Sequence, residues 1–277
     1  MGSMAIQYSK KWAKAGVAAV FFAAFSNQLA LCAEDTKTNS TPLKYEEPQI
    51  LKGRICPTHV PRASALFNFS RQATRSGAAL HVLREYTYPD GKLAARERVV
   101  YDGDNLVTYE LEELQIGAKG RAEIRHDKAR SKGRIEFEYQ KNIASDGKPK
   151  RDSESLQEDT LVNDMVGPFL ASHWDALNRG QSIRCRYIVV PRTETVGFTL
   201  KKETESTWQG RSVIVIRMAA TSPVIAALVD PIFFTMEKNK PHRVFEYAGR
   251  TTPKIKSGAR WKDLDAVTIF DWEQAKP

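Results

Sequence analysis

Short apolar runs separated by turn residues fill most of the chain from Ala79 onward. In residues 106–115, Val107, Tyr109 and Leu111 alternate with polar side chains, which is typical of a strand with one solvated face. A Pro-Asp-Gly turn at 89–91 is one of several short connections that favour antiparallel pairing between neighbours. The predicted strands are residues 79–88, 93–101, 106–115, 121–127, 134–142, 183–190, 193–201, 213–218, 232–237, 244–247 and 267–272.

One segment in the middle of the chain changes to helical spacing. Apolar residues recur every three or four positions from Leu161 to Leu177, Asp159 or Thr160 is placed to cap the start, and Gly180 ends the run. Because Pro168 lies inside the run, we expect a helix that is kinked or split. Residues 144–158, between the strands and this helix, are polar and predict an exposed loop, and residues 222–228 predict a short helix.

The fold class that these elements predict is mainly β. About ten strands must curl or close, since a long flat sheet would leave exposed edges. We therefore expect a strongly curved antiparallel sheet, or a half-open β-barrel, that wraps one kinked helix.

The first 33 residues have the layout of a secretory signal peptide. Lysines at 10, 11 and 14 precede an apolar run from Ala15 to Phe25, and Leu31-Cys32-Ala33 precedes acidic, polar residues. The apolar run falls short of the roughly 20 residues that span a bilayer, which argues against a membrane anchor. Cys32 is a lipidation candidate, although Leu31 is larger than the usual residue before a lipidated cysteine. A periplasmic or secreted location follows, with a lipoprotein as the variant.

The rest of the chain divides into a flexible leader at 34–55 and a single β-rich domain at 56–277. The net charge of the full chain is +9, and cleavage at Ala33 would remove three lysines and no acid. The remaining mild positive charge favours approach to an anionic membrane surface or envelope polymer. Basic and acidic residues are interspersed and the chain is exported, so we expect no nucleic acid partner.

Two cysteines remain after cleavage, Cys56 and Cys185. In an oxidising compartment such a pair is a disulfide candidate that would close a long loop. Two buried thiols are the alternative.

Candidate chemistry is sparse in this sequence. The five histidines have no metal-ligand spacing, and neither a nucleophile elbow nor a phosphate-binding loop is present. Glu110 and Glu112 share a strand face and form the one candidate carboxylate pair for a hydrolase, although the solvated side of a sheet explains them as well. The sequence therefore predicts a non-enzymatic protein with no metal and no cofactor.

The densest apolar segment after the signal is residues 223–234. It is explained either by core packing or by the wall of a ligand cavity closed by a curved sheet. The candidate cavity-lining residues are Phe169, Trp174, Ile225, Leu228, Phe233 and Phe234.

Several segments around the helix resemble exported bacterial proteins of no assigned activity. They are Leu161-Val162-Asn163-Asp164, Gly167-Pro168-Phe169, Trp174-Asp175-Ala176-Leu177, Val190-Pro191-Arg192, Leu228-Val229-Asp230-Pro231 and Phe245-Glu246-Tyr247-Ala248-Gly249. At the level of pattern, residues 79–272 also resemble the outer-membrane lipoprotein carrier and receptor superfamily. The resemblance implies an unclosed curved sheet around a helix that holds acyl chains, and it brings no site residues with it.

The function expected from these features is binding of a lipid or another apolar small molecule. The competing hypotheses are an envelope module that contacts a membrane surface or an envelope protein, and a hydrolase that uses sheet carboxylates.

Overall fold

The residues that the structure describes, 48–58, 64–127, 132–143 and 147–276 of a computed structural model, form one sheet of fifteen strands. All neighbouring pairs in this sheet are antiparallel except one. The prediction of a mainly β, antiparallel fold is therefore confirmed. The predicted signal peptide, Cys32 and the part of the leader before residue 48 lie outside the described residues.

The first half of the chain lays down eight strands in order, each paired with the one before it. Short turns permit this, such as Asp102–Asn105, where Gly103 takes a positive φ of 59°. The eight strands are β1 (Ile50–Pro57), β2 (Phe67–Ser76), β3 (Ala79–Thr87), β4 (Leu93–Asp102), β5 (Asn105–Glu113), β6 (Ala118–Asp127), β7 (Lys132–Gln140) and β8 (Lys150–Ser155).

The second half begins at the opposite edge of the sheet and returns to its middle. The two-residue strand β9 is parallel to β10, and the later strands then pair in order until the last one meets β1. These strands are β9 (Thr160–Leu161), β10 (Ile183–Val189), β11 (Glu194–Trp208), β12 (Arg211–Ala220), β13 (Ile232–Glu237), β14 (Val244–Ser257) and β15 (Arg260–Lys276).

The two edges of the sheet approach each other without joining. Only residues 156–159 connect β8 to β9, so the edges can be no more than about 18 Å apart along the chain. The Glu154 carboxylate accepts hydrogen bonds from the backbone N–H and the hydroxyl of Thr195, at 3.2 and 2.6 Å. Among the described strands no backbone ladder joins β8 to β9, so the curled sheet is open at this seam rather than closed into a barrel.

The helical segment is shorter and less continuous than the sequence predicts. A 3-10 helix (Asn163–Met165) leads into α1 (Val166–Ser172), and α2 (Trp174–Asn178) follows after a break at His173. Pro168 lies in the first turn of α1, where its missing N–H costs no helical hydrogen bond, so it does not cause the break. Thr160 belongs to β9 and caps no helix, whereas the short helix predicted near residue 222 is found as α3 (Pro223–Ala226).

The predicted number of strands, about ten, is wrong. Four strands were missed: β1, β2, β8 and β9. The first of these begins at Ile50, inside the range assigned to the leader, and β8 lies inside the segment predicted to be an exposed loop. Strand β8 has the sequence Lys-Arg-Asp-Ser-Glu-Ser and pairs only with β7, so no apolar alternation marks it.

The predicted disulfide is not formed. Cys185 is a buried thiol that is not bonded to Cys56. Strands β1 and β10 are separated in the sheet by β11 to β15, and with about 4.8 Å between neighbouring strands the cysteines are well beyond the 7 Å that a disulfide spans between Cα atoms. Burial, with a contribution from Asp159, raises the pKa of the Cys185 thiol to about 12.

The main core lies between one face of the sheet and the helical segment. Phe169, Leu170 and Leu177 from the helices are almost fully buried there against side chains of the sheet. A second, smaller core involves Ile55, Phe67 and Phe69 near the centre of the sheet.

No described helix combines the length and the apolar character that crossing a bilayer would take.

Candidate functional site

A cavity of about 590 Å³ lies on the face of the sheet that carries the main core. Its volume is within the range of small-molecule sites in proteins. Side chains from β2, β3 and β5 line it from the first half of the sheet, and side chains from β10 to β15 line it from the second half. The 3-10 helix and the start of α1 complete the wall.

Three of the six residues predicted to line a cavity do so. Phe234 lies on β13, while Ile225 and Leu228 lie in the segment that joins β12 to β13. Leu228 is 72% exposed although it contacts the cavity, which places this connecting segment at an opening of the cavity. We call residues 222–229 the lid segment.

The other three predicted lining residues lie elsewhere. Phe169 is buried in the helix-to-sheet core, and Trp174 stacks on His242 with ring centroids 3.9 Å apart. Phe233 is next to Phe234 on β13, and side chains alternate along a strand, so Phe233 lies on the opposite face of the sheet.

Four charged side chains meet at the wall of the cavity, and we call them the central cluster: Arg71, Arg84, Glu97 and Asp164. The Arg71 Nε atom lies 2.7 Å from Asp164 Oδ1, and the Arg84 Nε atom lies 3.2 Å from Glu97 Oε2. The Asp164 and Glu97 side chains are fully buried and the arginines nearly so. Two guanidinium groups thus balance two carboxylates away from water.

Neutral groups add hydrogen bonds to both carboxylates. Tyr101 donates to Asp164 at 3.0 Å, and one oxygen of Glu97, Oε1, accepts from Tyr86 at 3.1 Å, from Asn163 at 2.7 Å and from Thr252 at 2.5 Å. The other oxygen, Oε2, lies 3.2 Å from Arg84 Nε without a hydrogen bond, so its burial is offset by the charge of the guanidinium alone.

Burial also shifts the pKa values of ionisable groups around the cluster. Burial alone would lower the pKa of the Arg84 guanidinium, but Tyr86, Glu97 and Asp164 outweigh that effect and the pKa is raised. Burial raises the pKa of Tyr109 well above its usual value, and the nearby charge of Glu97 raises it further. Arg84 is therefore charged and Tyr109 is a neutral hydroxyl donor at physiological pH.

A second set of charges also lines the cavity, and we call it the outer group: Glu113, Arg250, Lys254 and Asp263. Glu113 is buried, whereas the Arg250 and Asp263 side chains are 32% and 53% exposed. The Lys254 Nζ atom lies 2.8 Å from Asp263 and 3.1 Å from Glu113. Arg250 lies 2.7 Å from Asp263. Burial would raise the pKa of Asp263, but its hydrogen bond with Lys254 and the charges of Lys254 and Arg250 hold that pKa below its usual range.

The candidate hydrolase pair lies away from the cavity. Glu110 and Glu112 alternate with Tyr109 and Leu111, which line the cavity, so both carboxylates lie on the other face of the sheet. Glu112 is 2.6 Å from Arg96 and also contacts Arg98, and the hydrogen bonds from these arginines outweigh burial and lower its pKa.

Sequence reasoning missed the central cluster, although a signal was present. Glu97 is in phase with Ala95, Val99 and Tyr101, so the alternation itself places the carboxylate on the buried face of β4. Arg71 and Arg84 are in the same way in phase with apolar neighbours on β2 and β3.

A second hollow, of about 720 Å³, lies near β1, β2 and β15. Exposed residues such as Lys52 and Arg54 line it, along with Trp208 and Arg211. It lacks the enclosing apolar wall and the buried polar cluster of the cavity, which is therefore the better candidate for a ligand site.

No group of three or more His, Cys, Asp or Glu residues within the described ranges is arranged to hold a metal ion.

Comparison with known proteins adds no family to this description. Neither a scan against protein-family models nor searches of curated proteins and of solved structures found a match to the chain. The resemblance to the lipoprotein carrier superfamily therefore stays a prediction.

Proposed function

We propose that this chain is an exported, non-catalytic protein that binds a lipid or another amphipathic small molecule in the cavity. The observation that carries the proposal is a cavity of about 590 Å³ with mostly apolar walls and a cluster of buried, paired charges on one side. An apolar chain with a polar end matches that division of the wall. The exported location rests on the signal-peptide pattern of the first 33 residues.

Burial of an apolar chain supplies enough free energy for such a role. Each CH₂ group removed from water contributes about 0.8 kcal/mol, so a long acyl chain binds without many directed contacts. The apolar wall includes Phe198, Met218, Ile232 and Phe234, which come from three consecutive strands, β11 to β13.

The lid segment supplies a route for the ligand. Val224 and Leu228 are each 72% exposed, whereas their neighbour Ile225 is partly buried and lines the cavity. A four-residue helix held by few contacts is an element that opens at low free-energy cost.

The first experiment is native mass spectrometry of the protein purified without detergent from the compartment to which it is exported, followed by organic extraction. We expect a bound mass in the native spectrum and the same compound in the extract. A protein that is free of ligand and takes up no fluorescent fatty-acid analogue would contradict the proposal. That result would favour the envelope-interaction alternative, in which the chain contacts a membrane surface or an envelope protein and the association weakens with salt.

A matched pair of variants in α3 tests the site. Ile225→Asp places a charge in the cavity wall, and we expect it to weaken binding of a nonionic fluorescent probe at least about tenfold. Val224→Asp adds the same charge one residue away, on a side chain that is exposed, and should change the affinity less than about twofold. Equal effects from both variants would show that the probe binds elsewhere.

A further inference from the structure

We propose that the cavity selects a ligand whose polar end is uncharged, such as a hydroxyl, ester or amide, over a fatty-acid anion of equal chain length. This inference rests on the proposed function and specifies the ligand class of the same cavity. It follows from how the charges that line the cavity are already occupied.

Each of the five lining cations faces a carboxylate. Within the central cluster, Arg71 faces Asp164 and Arg84 faces Glu97. The other three pairs are Arg192 with Glu194, Arg250 with Asp265 and Lys254 with Asp263. A site for a carboxylate head group needs a cation that is available to it, and in the described lining every lysine and arginine already has an acidic partner.

Arg84 shows how complete this pairing is. Its Nε atom lies 3.2 Å from Glu97, its Nη1 atom lies 3.8 Å from Asp164, and its Nη2 atom donates to the Tyr86 hydroxyl at 3.3 Å. Each nitrogen of the guanidinium thus has a protein oxygen within 3.8 Å, although the contact between Nε and Glu97 is an ion pair without a hydrogen bond. Arg250 is engaged in the same way, with its three nitrogens directed at Asp263 and Asp265.

The total charge around the cavity does not favour an anion either. The lining itself holds these five cations and three carboxylates, Glu113, Asp164 and Asp263. The remaining partner carboxylates, Glu97, Glu194 and Asp265, lie behind the lining and offset the other positive charges. A ligand carboxylate would lose its hydration and gain no uncompensated positive charge in return.

An uncharged head group, in contrast, can accept a hydrogen bond from a donor in the cavity wall, the Tyr109 hydroxyl. Tyr109 lines the cavity with 4% exposure, and its hydroxyl makes no hydrogen bond to the residues that the structure describes. Since burial raises its pKa, the group stays protonated and donates to a ligand oxygen. Its position near Glu97 makes the same place unfavourable for an anion.

The test compares palmitate with monopalmitin, which share one acyl chain and differ in the charge of the head group. Both compete with a nonionic fluorescent probe for the full-length mature protein at pH 8, where palmitate is ionised. We expect monopalmitin to bind at least about tenfold more tightly. Equal affinities, or tighter binding of palmitate, would overturn the inference and leave the proposed function standing. The proposed function itself would be overturned only if the probe also failed to bind the protein saturably.

Variants test whether the charge balance causes the preference. Glu97→Gln removes the nearer carboxylate of Arg84 and leaves only Asp164, at 3.8 Å, which Arg71 shares. We therefore expect the preference for monopalmitin to fall about tenfold as palmitate binding improves. Glu110→Gln makes the same charge change on the other face of the sheet and should leave the preference unaltered. If circular dichroism shows that Glu97→Gln is unfolded, Asp263→Asn in the more exposed outer group takes its place. An unchanged preference in a folded variant would contradict the inference.

Removal of the Tyr109 hydroxyl tests separately whether this group binds the uncharged head group. Tyr109→Phe should weaken monopalmitin about three- to tenfold and leave palmitate nearly unaffected. Equal weakening of both ligands would mean that Tyr109 only shapes the wall.

Discussion

At the scale of single residues, this protein contains two kinds of ion pair: those buried in the central cluster and those on the solvated face of the sheet. Asp164 and Arg71 are buried and fixed by several partners, whereas Glu112 and Arg98 lie on the solvated face with 28% and 40% of their side chains exposed. Water screens the second pair and not the first. A carboxylate paired with an arginine therefore contributes very differently to stability in the two places.

Neutralising one member of the buried pair should be costly. Asp164→Asn leaves Arg71 without its carboxylate, and we expect the free energy of unfolding to fall by about 3–5 kcal/mol. Glu112→Gln removes the carboxylate of the exposed pair with Arg98 and should lower the free energy of unfolding by less than about 1 kcal/mol. Urea denaturation of both variants measures the difference, and similar costs would show that the cluster is as screened as the surface.

At the scale of elements, the seam between the two sheet edges is held by side chains instead of a backbone ladder. Glu154 of β8 accepts hydrogen bonds from Thr195 of β11, and Lys150 donates to the carbonyl of Arg192 at 2.8 Å. Close approach here also needs Gly120 on β6, where an added Cβ would come within 2.6 Å of Val190 and of the Glu138 carbonyl. The seam thus depends on a few particular contacts.

Removal of the Glu154 carboxylate should loosen the edge strand. We expect Glu154→Ala to lower the free energy of unfolding by about 1–3 kcal/mol and to speed hydrogen exchange in β8. Asp152→Ala is the control, because among the described residues the Asp152 carboxylate accepts only a local hydrogen bond, from the Ser153 N–H of the same strand. Exchange rates in β8 that match between the two variants would show that Glu154 does not hold the seam.

At the scale of the whole molecule, buried tyrosines couple the fold to alkaline pH. Tyr86, Tyr101, Tyr109, Tyr187 and Tyr247 all have pKa values raised above the usual value, with burial as the largest cause. The folded state therefore keeps protons that the unfolded chain releases above about pH 10. The stability that this contributes is fully present below that pH and is lost as the pH rises further.

We accordingly expect the free energy of unfolding to fall steeply above about pH 10. Urea midpoints measured from pH 7 upward should be flat and then fall, and tyrosinate absorbance should rise together with the loss of near-UV circular dichroism. Gradual ionisation of these tyrosines in a protein that remains folded would contradict this expectation.

Local patterns in the sequence predicted most of the strands and part of the cavity wall. Period-two alternation and short turns gave the antiparallel strands from Ala79 onward, and the apolar segment at 223–234 indicated Ile225, Leu228 and Phe234 as cavity residues. These signals are local, since each depends on neighbours a few positions apart in the chain.

Which polar positions are buried together depends on how distant strands pair and curl. Strand β8 has no apolar pattern and is recognised only by its pairing with β7, while Phe233 differs from Phe234 only in the face it occupies. Arg71 and Asp164 are 93 positions apart and meet because the sheet curls around the helical segment. Their pairing depends on that curl, so no local pattern in the sequence specifies it.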